Sequence, residues 1–207
     1  MARGAKLRFV VALGGAKLSR AESLLPPPGG MVLELADLPD GWIAKRRYEL
    51  RSGMTMRGTP WADRMRLAKG RSCMAVFRFG DDRSVAVQSQ ATPFVSVGDA
   101  QEAFLTLFES ASFLDLLLVE RSREQIELPT PVGDEHHCLV VCAENVRRPG
   151  IELEVHLLMW RRDSVIACFV TVAPTGTWMP ADVVRIAERQ DLRIRSVLSS
   201  FSDLAAA

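Results

Sequence analysis

Three histidines and four cysteines are the side chains of this 207-residue chain with the most chemical potential. All but Cys73 fall between His136 and Cys168. Three runs rich in β-branched and aliphatic residues cover that region: His136–Glu144, Ile151–Trp160 and Ser164–Ala173. Polar turns separate them, and the pattern is that of an antiparallel meander. Side chains alternate between faces along a strand. One face collects His137, Leu139, Val141, Ala143, Ile151, Leu153, Val155, Leu157, Met159, Val165, Ala167 and Phe169, which is a core. The other is mixed and carries His136, Cys138, Cys142, Glu154, His156, Trp160 and Cys168. Folding the second hairpin about Arg162, the middle of the break Arg161-Arg162-Asp163, sets His156 opposite Cys168. Folding the first about the 145–150 connection sets Cys142 opposite Glu154. A thiol beside an imidazole is the minimum for an activated nucleophile, and His, Cys and Glu are all metal ligands.

Geometry argues against using that chemistry. Cys138 and Cys142 stand about 13 Å apart on an extended strand, too far to grip one ion. His136 and His137 point to opposite faces. No glycine-rich turn at a helix N-terminus follows Cys168 to act as an oxyanion donor. No metal, cofactor or catalytic assignment is made. The mixed face reads first as a packing layer of mixed polarity and next as the floor of a pocket for a small amphipathic ligand, so the expected function is a non-enzymatic ligand-binding or protein-interaction module. There Trp160 offers contact area, Glu154 and His156 orient a polar end, and Cys168 lines the wall. An enzyme using His156 with Cys168 or Glu154 is the alternative. The cysteines all sit in apolar runs without a C-x-x-C pair, as small buried hydrophobes in a reducing, cytoplasmic compartment.

The elements that must position these residues follow from punctuation and periodicity. Pro26-Pro27-Pro28-Gly29-Gly30 breaks any regular structure, so residues 1–30 are expected to be a flexible arm. Its apolar run, Leu7–Ala16, is short; a degenerate export signal is the alternative reading. No run is long enough to span a membrane as a helix. The domain proper is expected over 31–198. A turn at Pro39-Asp40-Gly41 leads into a strand over Ile43–Arg51. Thr59 and Gly70 bracket a short helix. Ser72–Phe79 and Arg83–Ala91 form a hairpin about Gly80-Asp81-Asp82, with Phe77 near Val85 and Cys73 near Ser89. Gly98–Leu118 is an amphipathic helix opened by Asp99 and Glu102. Arg123–Leu128 is a strand, and Pro180–Leu198 a closing helix whose tail frays over 199–207. The fold class is α+β, an antiparallel sheet with helices packed on it.

Charge is segregated within an ordinary composition, 48% apolar, 25% charged and net +1. Lys45–Arg71 is basic; Arg46, Arg47, Arg51, Arg64 and Arg66 are the candidates for holding an anionic partner. Asp99–Glu154 is rich in acids and could dock the basic stretch of a second copy, giving a homo-oligomer. No phosphate loop, dinucleotide fingerprint, helix-turn-helix or zinc-finger spacing is present, so nucleic acid is not expected as a partner. Arginine far outnumbers lysine, as in GC-rich coding of the actinobacterial type.

The residues Ala36–Trp42 (ADLPDGW), Gly133–Glu135 (GDE), Arg161–Arg162 and Asp182–Arg195, in that order, carry a resemblance to a group of actinobacterial proteins. These are the LpqN-like lipoproteins and related sensor-type domains, which share an α/β/α sandwich like that of the photosystem protein PsbP. The resemblance spans roughly 31–198. It implies that fold and a ligand-binding or sensing role, and brings no shared catalytic residues. Members are commonly lipidated at a cysteine or attached to a membrane segment, and this sequence shows neither.

Overall fold

The computed structural model describes residues 25–51, 71–82, 84–109, 118–145 and 150–206. Strands β1 (Trp42–Arg51), β2 (Arg71–Phe79), β3 (Ala86–Pro93), β4 (Leu118–Ile126), β5 (Glu135–Asn145), β6 (Glu152–Arg162) and β7 (Val165–Pro174) form one sheet. Its order is β1-β2-β3-β7-β6-β5-β4, and every adjacent pair is antiparallel. The chain lays down β1–β3 as one meander and crosses through helix α1 (Val97–Glu109). It returns through a second meander that seats β7 against β3. Helix α2 (Pro180–Ala206) closes the fold.

The helices lie on opposite faces. Ala100, Ala103 and Phe104 of α1 pack with Phe94, Met159 and Ile166. Val183, Val184, Ile186, Ala187 and Ile194 of α2 pack with Leu158, Trp160, Val165, Ala167 and Phe169. Leu158 and Met159 are successive residues of one strand and so point to opposite sides. The sheet is buried on both faces, which is why β6 and β7 read as near-continuous apolar runs rather than alternating ones.

Several boundaries differ from expectation. The helix opening near Gly98 is capped one turn early: Asp99 N donates to Ser96 Oγ (3.1 Å), and that hydroxyl donates to Asp99 Oδ2 (2.8 Å). Leu118 is not the end of that helix but the start of β4, where pairing with Asn145 and Glu144 of β5 decides what a short apolar run cannot. The β2–β3 register is Phe77↔Val87 and Cys73↔Ala91, two residues from the expected pairing, which leaves each face unchanged. The Pro/Gly stretch is part of the body, since Pro26 and Pro28 are buried. A Cβ on Gly30 would come within 2.9 Å of Val197. Residues 1–24 and the helix expected over 59–70 lie outside the described residues. The tail expected to fray from Ser199 is helical to Ala206; the Ser200 and Ser202 hydroxyls donate to the carbonyls of Ser196 and Leu198.

Both edge strands are bulged at a charged residue, Lys45 in β1 and Arg121 in β4, where the register shifts. Bulges and charges of this kind blunt an open sheet edge against pairing with another chain.

Candidate functional site

The β6–β7 turn decides what the mixed face can do. Arg161 and Arg162 belong to β6, and the turn is the two-residue pair Asp163-Ser164, with Asp163 in the left-handed region at φ 54°. Pairing therefore runs Arg162↔Val165, Met159↔Cys168 and His156↔Thr171. The fold point moves by one and a half residues from Arg162, an odd change in register that flips β7 relative to β6. His156 and Cys168 consequently project to opposite sides of the sheet, and the expected thiol–imidazole pair is not formed. On the β5 side Cys142 stands opposite Glu154, as the sequence predicts.

Each candidate then has a structural partner. Cys168 is 8% exposed among Leu157, Val170 and Leu139, and burial pushes its thiol up to about 12. Cys138, on the α2 side, is likewise pushed up to about 12. His156 is buried, its Nδ1 3.3 Å from Thr171 Oγ1 and its Nε2 3.7 Å from a Glu154 carboxylate oxygen. Burial lowers the imidazole's pKa, and the nearby Glu154 charge pulls only partly the other way. Glu154 itself is half-buried.

Trp160 is not ligand-facing. It is fully buried under α2, and its Nε1 donates to Asp191 Oδ1 at 3.2 Å. Asp191, itself 2% exposed, also takes Arg162 Nε at 3.0 Å and Arg162 Nη2 at 2.8 Å, with Arg195 Nη2 at 2.6 Å. Burial would raise the Asp191 carboxyl, but Arg162 and Arg195 outweigh it and hold it below the ordinary carboxylate value. Arg162 Nη1 reaches on to Asp134 Oδ1 (2.6 Å), and Arg161 bonds Asp134 (3.1 Å) and Glu135 (3.1 Å). Gly133, at φ 76°, lies against Trp160. The motifs Gly133–Glu135, Arg161–Arg162 and Asp191–Arg195 thus meet in one ion network that clamps α2 and the start of β5 onto the end of β6.

Of the basic candidates, Arg46 and Arg47 are successive residues of β1 and project to opposite faces. Arg47 donates to Gly29 O and lies 3.8 Å from Glu34. Arg46 is exposed on the edge strand, Arg51 pairs with Arg71 in the ladder, and Arg64 and Arg66 lie outside the described residues. Among the described residues no group of three His, Cys, Asp or Glu side chains is placed to hold a metal.

Two features went unread in the sequence. Where β4 parts from β5, beyond Ile126↔Cys138, an opening of about 300 Å³ is lined by Gln125, Glu127, His136 and His137. His137 stacks on Phe104 at 5.2 Å, and burial lowers its pKa. At the end of the sheet where β1 begins and β2 finishes, Trp42 meets Phe79 edge-on (5.6 Å) and Trp178 at a tilt (5.8 Å). Phe79 is 45% exposed and Met179, next to Trp178, 62%. The signal for this patch was Phe79 abutting its turn and Trp178-Met179 in a loop, both large apolar residues where turns are usually polar.

No family model matches the chain, and no curated protein matches it. Among solved structures, the extracellular domain of PknH from Mycobacterium tuberculosis is similar at 9% identity and a TM-score of 0.51, over 82% of this chain and 96% of that one. An uncharacterized protein from Mycobacterium smegmatis aligns at 9% identity with a TM-score of 0.41, over 77% of this chain and 92% of that one. At that identity the PknH likeness bears on the fold alone, and it agrees with an α+β sandwich.

Proposed function

We propose that this chain is a non-enzymatic protein-interaction module and that it binds through the apical patch of Phe79 and Met179 over Trp42 and Trp178. One observation carries this reading. His156, Cys168 and Trp160 are built into the interior, while Phe79, exposed beside Trp42, and Met179, exposed beside Trp178, stand at the end of the sheet. Aromatic side chains and Met are the residue types that interface centres favour. The four unpaired thiols fit a reducing compartment such as the cytoplasm. A second reading, a small polar ligand, rests on the opening beside His136 and His137; native mass spectrometry of the purified chain would show such a ligand retained.

The test is selection of a phage-displayed random peptide library on the full chain, followed by counter-selection on a Phe79→Ser/Met179→Ser double variant. Phe79 is 45% exposed and Met179 62%, so the variant loses about 1–2 kcal/mol of packing, mainly the Phe79–Trp42 contact, and circular dichroism checks that it stays folded. Enriched peptides should lose binding to the variant at least tenfold. No enrichment, or equal binding to the variant, would overturn the reading.

A further inference from the structure

The apical patch is bordered by acids. Phe79 lies between two turns, Pro39-Asp40-Gly41 and Gly80-Asp81-Asp82, and Gly80 N donates to Gly41 O at 2.8 Å, knitting them together. The approach is close: a Cβ on Gly41, which sits at φ 94°, would come within 2.8 Å of the Phe79 ring. Asp40, Asp81 and Asp82 are all exposed on these turns. Asp82 Oδ1 also accepts from Ser84 N (2.7 Å) and Ser84 Oγ (2.6 Å), which holds the second turn in shape. Ile43 and Arg78 pair with one another and are the strand neighbours of Trp42 and Phe79, so they project to the other face. Arg78 therefore does not neutralise this rim from its own strand. Trp178 Nε1 is a buried donor without an acceptor among the described residues.

We infer that the patch docks a basic amphipathic segment of another protein, an apolar side chain seated on Phe79, Met179 and Trp178 with flanking Lys or Arg against Asp40 and Asp81. This rests on the interaction reading above and names the partner's chemistry. An apolar anchor with a charged rim of opposite sign is the usual division of labour at an interface. The anchor supplies affinity, and the rim supplies steering and selectivity.

The experiment uses the full chain labelled with ¹⁵N and two synthetic amphipathic peptides with the same Leu/Phe face, one carrying lysine and the other glutamate on its polar face. The lysine peptide should shift the Trp42 and Trp178 indole resonances, weaken as salt is raised, and bind at least tenfold more tightly than the glutamate peptide. Asp40→Asn/Asp81→Asn, at two exposed positions, should remove most of that preference while leaving the circular dichroism spectrum unchanged. If both peptides shift the indoles with equal affinity, the interaction surface stands and the basic partner is wrong. If neither shifts them, or the shifts persist in Phe79→Ser/Met179→Ser, the interaction surface itself is wrong.

Discussion

Asp191 shows how a residue of catalytic type becomes structural. Buried on α2, it receives the indole N–H of Trp160 and the guanidinium groups of Arg162 and Arg195. A buried carboxylate is tolerable only when donors satisfy it. Asp191→Ala should therefore lower the unfolding free energy by about 3 kcal/mol in urea denaturation, because it strands the Trp160 and Arg162 donors. Trp160→Phe, which removes a donor and some ring volume, should cost about 1–2 kcal/mol. His156 sets a pH dependence. Burial lowers its pKa in the folded chain, so the unfolded chain takes up a proton first, near the ordinary value of about 6.5. Its contribution to stability is fully present above that value and declines as pH falls through it toward the folded value. His137 is lowered too, so both histidines contribute. Denaturation at pH 7.5 and 5.5 should show the wild type losing stability at the lower pH and His156→Gln losing less; an equal loss would contradict this account of His156.

At the scale of elements, the placement of one turn changed the meaning of a whole face. Strand existence was legible because β-branched runs bounded by Gly, Pro and Asp leave little choice. The β6–β7 register was not, because Arg161-Arg162-Asp163 looks like a polar break. Only the structure shows the two arginines held in the strand by Asp134 and Asp191. Those acids are distant in sequence, and no local pattern announces them. Cys142↔Glu154 was predictable because a longer connection left the parity of the first hairpin unaltered. The clamp also gives glycine a specific role. At Gly133 a Cβ would meet Arg161 O at 2.5 Å and Trp160 Cδ1 at 2.7 Å, whereas at Gly176 (φ 79°) it meets nothing within 4 Å. Gly133→Ala should thus cost about 3 kcal/mol or more, combining backbone strain with overpacking. Gly176→Ala should cost only the left-handed backbone penalty, about 1–2 kcal/mol. Thermal melts of the two variants should rank in that order.

On the scale of the whole molecule, the sequence was enough for an antiparallel sheet with helices, one near the middle and one at the end. Helices on opposite faces followed from the resemblance to α/β/α sandwiches and not from periodicity, because that arrangement depends on the β3–β7 pairing between residues about 80 apart. The Gly133–Glu135, Arg161–Arg162 and Asp191–Arg195 motifs that resemble LpqN-like proteins join the sheet to α2, so they speak for architecture. The residues of β6 and β7 that look reactive in the sequence, His156, Trp160 and Cys168, are interior. The most direct measurement is the alkylation rate of each cysteine in the native chain, read by mass spectrometry at pH 7.5. Cys138 and Cys168, buried and with thiols pushed up to about 12, should react only through opening of the fold. Their rates should rise with added urea and fall far behind that of half-buried Cys142. A Cys168 that alkylates as fast as a free thiol in the absence of urea, and slows when His156 is replaced, would contradict it.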